Sequence, residues 1–310
     1  MTLAVYLSVC TGLLIFLLGC VRRILQYARA PLHLRWELYP VPHEAPSRVA
    51  HGGSYFETLD WWKQPRRFHL AGELRAMVPE MLFLKGLWEF NRPLWYISFL
   101  FHFGLYLIIG SAVLAAATAA LGIVAPALAG GIFGLLLAQV YRLAGMLGAT
   151  LAMVGAAALV YRRKTSADLK NFTTPADLFS LAFFIITFAT LALGYFLRPA
   201  GATINGLLRG LLRFDTSVAV GGVFGAGLVL ASALAAYIPF THMAHFIAKY
   251  FTYHAVRWDD RVNLRGGGME ATLAEYLTYR PNWAAAHMGA DGKKNWAEIV
   301  TTNPAQEVRK

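Results

Sequence analysis

The sequence predicts an all-α integral membrane protein: five transmembrane helices, N-terminus out and C-terminus in, with a cytoplasmic loop and tail. Three observations predict it. The 310 residues are 57% hydrophobic and 15% charged, too apolar for a soluble domain of this length. Five apolar runs are each long enough to span a bilayer. The 28 lysines and arginines are also distributed very unevenly around those runs. Eleven fall in 22–93, four in 162–170 and nine from Lys249 onward, all on one side, leaving Arg142, Arg198, Arg209 and Arg213 on the other. The net charge of +11 therefore reads as membrane topology, not as a nucleic-acid surface.

Leu3–Val21 is the first run. No basic residue precedes it while Arg22, Arg23 and Arg29 follow, so it reads as an anchor and not a cleaved leader. Leu17-Leu18-Gly19-Cys20 resembles a lipoprotein box, but the missing N-terminal charge argues against one. The expected organisation is a first transmembrane helix over 1–21, a cytoplasmic loop over 22–93, a four-helix membrane core over 94–256, and a cytoplasmic tail over 257–310. Within the loop, prolines at 31, 40, 42 and 46 exclude a continuous helix. Trp61, Trp62 and Met81–Trp88 suit segments resting on headgroups.

The second span is expected at Leu94–Leu121, opened by Arg92-Pro93. An apolar connection, Gly122–Gln139, leads to a third span near Arg142–Tyr161. Thr174-Pro175-Ala176-Asp177 is a helix start, with Thr as cap, Pro in the first turn and Asp at the positive end of the dipole. That fourth span runs to Leu197. After an outer loop, Arg198–Asp215, the fifth is expected near Ser217–Phe246, opened around Pro239.

Cofactor chemistry falls to the histidines. Cys10 and Cys20 are separated by about 15 Å along one helix, too far for a disulfide. Without CxxC or CxxCH the chain has neither an iron–sulfur ligand set nor a covalent haem site. His102 lies about 12 Å inside the second span. His245 and its competitor His242 lie near the same end of the fifth, three residues apart on overlapping faces. Titratable side chains at membrane depth are costly, and imidazole is a standard iron ligand. His102 with His245, or with His242, can therefore ligate one b-type haem from two facing helices. Gly104, Gly145, Gly148 and Gly155 would leave room for a porphyrin and close helix approach. Arg92, Lys249 and His254 are candidate propionate contacts at the inner boundary.

Tyr96, Tyr106 and Arg142 are the candidates for a quinone handle. His33, His43, His51 and His69 match no metal spacing and are expected to be solvated or facing a partner. No acid lies centrally in a span, which disfavours an ion-coupled transporter. A redox-silent anchor remains the main alternative.

The motifs F-H-F-G (101–104), R-L-A-G-M-L-G (142–148), Y-R-R-K (161–164), T-T-P-A-D-L (173–178) and P-F-T-H-M-A-H (239–245) resemble the gamma subunit of respiratory nitrate reductase, a five-span cytochrome b. The resemblance covers about 94–256 and implies that His102 and His245, in preference to His242, ligate the haem nearer the cytoplasm. The family's second haem uses histidines at positions that are Ala112 and Gly227 here, so the resemblance implies one haem. H-L-R-W-E-L-Y-P-V-P-H-E (33–44), G-G-S-Y-F-E (52–57), D-W-W (60–62) and N-W-A-E-I-V-T-T-N-P (295–304) are similar to one branch. It comprises the membrane cytochrome b subunits of sulfate-reducer-type transmembrane redox complexes, including sulfite-reductase-linked ones. That branch implies a multi-pass subunit of the cell inner (cytoplasmic) membrane, in the respiratory chain of a quinone-linked oxidoreductase complex. Its implied partners are membrane quinone, a cytoplasmic iron–sulfur subunit resembling the heterodisulfide reductase catalytic subunit, and further redox subunits, with the loop and tail as docking platform.

Overall fold

The computed structural model describes residues 1–30, 41–65, 68–199, 201–282 and 284–302. The string at 33–40, with His33, and Asn303-Pro304 of the motif at 295–304 lie outside the described residues. In chain order the helices are α1 (Thr2–Ala28), α2 (Pro46–His51), α3 (Leu70–Leu82), α4 (Lys85–Phe90), α5 (Arg92–Val124), α6 (Pro126–Gly130) and α7 (Ile132–Thr165). They continue with α8 (Ala167–Lys170), α9 (Pro175–Leu197), α10 (Ile204–Arg213), α11 (Gly222–Tyr237), α12 (His245–Thr252), α13 (Gly268–Leu277) and α14 (Trp296–Thr301). A minimal antiparallel pair, β1 (Ala284–Ala285) with β2 (Ala290–Asp291), is the sheet structure among the described residues. The protein is an all-α multi-pass membrane protein: α1, α5, α7, α9 and the run Gly222–Phe240 are long and apolar enough to cross a membrane.

The chain divides into two compact units, 1–29 with 70–250 and 30–69 with 251–310. These cut across the sequence-based boundaries. The first helix belongs with the other four, residues 70–93 join the bundle, and 30–69 group with the tail.

In the bundle unit, glycines set how closely the helices approach. Lipid tails are as apolar as leucine, so packing between membrane helices relies on close backbone contact. A β-carbon on Gly104 of α5 would lie 2.7 Å from the Gly148 carbonyl of α7, and one on Gly155 would lie 2.6 Å from the Phe101 nitrogen. Further along, Ser111 Oγ donates to the Tyr141 carbonyl at 2.6 Å. The paired numbers rise on one helix as they fall on the other, so α5 and α7 are antiparallel. By the same reading α9 and α11 are antiparallel, through Gly194 against Phe224 and Gly227 against Leu191. Helix α1 runs parallel to α11, with Gly12 against Ser232 and Gly19 against Pro239. Gly104, Gly148 and Gly155 are thus taken up by helix–helix contact, while a β-carbon on Gly145 would lie 2.8 Å from Ser111 Oγ.

Local signals place the ends. Thr174 and Asp177 form a reciprocal capping box at α9, and the Asn91 side chain accepts from Leu94 N to start α5 ahead of Arg92-Pro93. The connection expected over Gly122–Gln139 is much shorter: Pro126 and Gly130-Gly131 confine the turn, and the apolar residues from Ile132 onward continue directly into α7. The fifth span is also shorter than expected. Pro239 ends regular helix at Tyr237, 3-10 turns follow at Ile238–Phe240 and His242–Ala244, and α12 starts afresh at His245.

These contacts give an internal control. Gly104→Leu forces α5 from α7 and is expected to destabilise the bundle by about 1–3 kcal/mol or more. Gly110→Ala, on the same helix with nothing within 4 Å of the added carbon, should leave the melting temperature in detergent unchanged or slightly raised.

Candidate functional site

The site of interest lies where α5 meets the reopened end of the fifth span. His102 sits in the third turn of α5, flanked by Phe101, which packs inward against Phe184 at 5.2 Å between ring centroids. The buried residues Phe101, Ala152, Ala156, Phe184, Phe188 and Leu234 form the dry core behind it. The second histidine is brought in by the break at Pro239. A proline ring there removes a backbone donor and leaves carbonyls without helical partners. One of these, on Pro239, accepts from Arg23 Nε of α1 at 2.7 Å, and Gly19 of α1 makes room for the ring. Thr241 caps the next turn by accepting from Met243 N at 3.2 Å. The chain so redirected carries His245 to His102, with ring centroids 6.0 Å apart and planes at 72°.

Each ring is oriented by its own backbone. His102 Nδ1 lies 2.7 Å from the Ser98 carbonyl and His245 Nδ1 3.2 Å from the His242 carbonyl. A carbonyl only accepts, so in both rings Nδ1 carries the hydrogen and, in the neutral tautomer, Nε2 keeps its lone pair. This is the second-sphere arrangement that prepares an imidazole to bind a metal.

The donor set fits a haem iron. His102 and His245 would hold such an iron through Nε2, and their 6.0 Å ring separation is compatible with both reaching one ion. Among the described residues no group of three or more His, Cys, Asp or Glu forms a metal cluster. A pair of imidazoles would suffice to hold a haem, whose porphyrin would supply the remaining nitrogen donors. His242, the alternative ligand, is largely exposed with Nε2 3.9 Å from Asp177 Oδ1, and Asp177 also pairs with Arg163 at 3.6 Å.

The proposed propionate contacts have other partners. The Arg92 guanidinium lies 4.8 Å over the Trp88 ring, and Lys249 pairs with Glu80 Oε2 at 3.3 Å. His254 belongs to the second unit, where its ring meets Trp258 at 5.3 Å. Of the quinone candidates, Tyr106 donates to the Met81 carbonyl at 2.9 Å and Tyr96 sits exposed among Trp88 and Trp95. Arg142 borders a largely apolar cavity of about 360 Å³ at the other end of the bundle, which Ala112 also lines.

In the second unit, His43 departs from the expected solvated role. It is buried and donates from Nε2 to Asp260 Oδ2 at 3.1 Å, and the same oxygen accepts from Tyr55 OH at 2.7 Å. Phe68 and Trp258 flank its ring. Glu44, also buried, accepts from Ser54 Oγ and Tyr55 N at 3.0 Å each. These bonds knit 41–58 to 259–260 and serve cohesion. His51 is exposed.

No family model matches the chain, and no curated protein matches it. What the site can do rests on its geometry.

Leaving a buried donor without its acceptor costs about 1–3 kcal/mol. Asp260→Ala should therefore make the second unit markedly more sensitive to limited proteolysis, while the bundle keeps its helical circular dichroism.

Proposed function

We propose that this protein is a membrane cytochrome b subunit, holding one haem b between His102 and His245 and passing electrons between membrane quinone and a cytoplasmic iron–sulfur subunit. The observation that carries the reading is the pair of backbone-oriented imidazoles 6.0 Å apart at the end of an apolar bundle. When bound, haem supplies reversible one-electron chemistry.

The chain's own part is placement. The Ser98 and His242 carbonyls hold the two tautomers, and the core around Phe101 and Phe184 keeps water from the His102 side. Arg23 and Gly19 of α1 stabilise the break that brings His245 to its partner. A single haem is also the economical count. Ala112 offers no ligand, and a side chain at 227 would start 2.9 Å from the Leu191 α-carbon. The charge split supports an N-out, C-in orientation in the inner membrane, which puts the His pair and the loop–tail unit on the cytoplasmic side. An iron–sulfur subunit of the heterodisulfide-reductase kind, with further redox subunits, would dock there.

The test is a dithionite-reduced minus oxidised spectrum of the purified chain, with haem counted as the pyridine haemochrome. One haem per chain is expected, lost in His102→Ala and in His245→Ala and kept in His242→Ala. A chain without Soret absorbance, from cells able to make haem, would instead establish the redox-silent anchor.

A further inference from the structure

We infer that the end of the bundle remote from the histidines holds an anionic phospholipid, its phosphate among Arg142, Arg198 and Arg209 and one acyl chain in the adjoining apolar cavity. The inference is independent of the haem reading.

The charge pattern comes first. The span-and-loop segment 94–161 together with 178–248 contains four basic residues, Arg142, Arg198, Arg209 and Arg213, and a single acid, Asp215. Asp215 is turned to its own loop, accepting from Ser217 N at 2.9 Å and Ser217 Oγ at 3.0 Å. Three of the four arginines, from α7, the end of α9 and α10, line one pocket of about 380 Å³, and no carboxylate lines it with them. None of the three has an ion-pair partner among the described residues. Guanidinium groups brought together at a membrane boundary without a counter-charge repel one another and invite an anion.

Two of the three side chains are packed into the fold, and Arg142 is exposed. Arg198 lies 3.6 Å over the Tyr195 ring and donates from Nη1 to the Tyr195 carbonyl. Arg209 lies against the backbone of α5 at Gly122, where any side chain would collide with its guanidinium. Its Nε is buried and makes no hydrogen bond. A buried charged donor without an acceptor is costly, and a phosphate oxygen is the acceptor that guanidinium geometry suits best.

An apolar chamber identifies the source of the phosphate. Tyr141, Arg142, Tyr195 and Ile204 line both this pocket and the 360 Å³ cavity beside it, whose remaining walls are mostly aliphatic and aromatic side chains such as Leu207, Leu228 and Phe224. A basic mouth opening onto an apolar chamber matches one amphiphile, head and tail together. Basic pockets between membrane helices take lipid headgroups in this way. A free oxyanion would leave the chamber without a role, and a neutral quinone would leave three cations uncompensated.

The test uses the purified full chain, delipidated in a neutral detergent and titrated with phosphatidylglycerol or phosphatidylcholine under native mass spectrometry. Phosphatidylglycerol should bind about tenfold or more tighter. Arg142→Gln alone, an exposed position, should weaken it several-fold, and the Arg142→Gln/Arg198→Gln/Arg209→Gln triple variant should abolish the preference while keeping the helical circular dichroism. Ala112→Leu, which narrows the chamber and leaves the arginines alone, should weaken both lipids. Equal affinity for the two lipids, or unaltered selectivity in Arg142→Gln and the triple variant, overturns the proposal. Inorganic phosphate binding as tightly as the lipid overturns its membrane source. A long-chain neutral quinone displacing phosphatidylglycerol equally from wild type and the triple variant overturns the anionic assignment.

Discussion

Close approach of helix backbones is the constraint on which the bundle depends. In a bilayer no hydrophobic force drives one apolar helix against another, so α5 and α7 gain their contact through glycine surfaces at 104, 148 and 155. That contact fixes more than packing. His102 stands two residues before Gly104, so the depth and azimuth of its ring follow from the crossing. The Ser98 carbonyl, one turn back along the same helix, then orients the imidazole. The first histidine is therefore oriented chiefly by its own helix, with the Ser98 hydroxyl a further 3.4 Å neighbour of Nδ1.

The second histidine is held by the opposite device, a helix that stops. Pro239 prevents α11 from continuing, and two short 3-10 turns swing the chain before α12 begins at His245. An uninterrupted helix would have carried 242 and 245 on along the bundle axis, on nearly one face. The break separates their environments instead: His242 turns to Asp177, and His245 turns to His102. The freed backbone groups at this discontinuity are met by the Arg23 guanidinium of α1 on the Pro239 carbonyl and by Thr241 on Ile238 and Met243.

The five spans, the Thr174 cap and the opening at Pro239 were legible because each is a local signal: hydropathy, a capping residue, a proline. The histidines 102 and 245 stood out by depth, since the positive-inside count put both near one end. What escaped was non-local. His43 meets Asp260 across 217 positions of sequence, and no spacing rule announces that pair. The start of α7 was misplaced because an apolar stretch looks the same in a connection and in a helix until Pro126 and Gly130-Gly131 are seen to hold the whole turn. The arginine pocket left a trace, four cations with one acid for company, but charge counting used them only as the minority in a topology vote. Their convergence needed the antiparallel register of α5 with α7 and the amphipathic α10 laid across their ends.

The pairing of α1 with α11 has a consequence for how the molecule is made. Thr2 bonds to Val220 and Arg23 to Pro239, contacts spanning 218 and 216 residues. Helix α1 is thus made well before α11, and its face at Gly12 and Gly19 is covered only once α11 and Pro239 follow. Before that, Tyr6 and Val5 can meet only earlier elements such as Leu207 of α10. A truncation that removes the fifth span leaves the face of α1 at Gly12 and Gly19 uncovered.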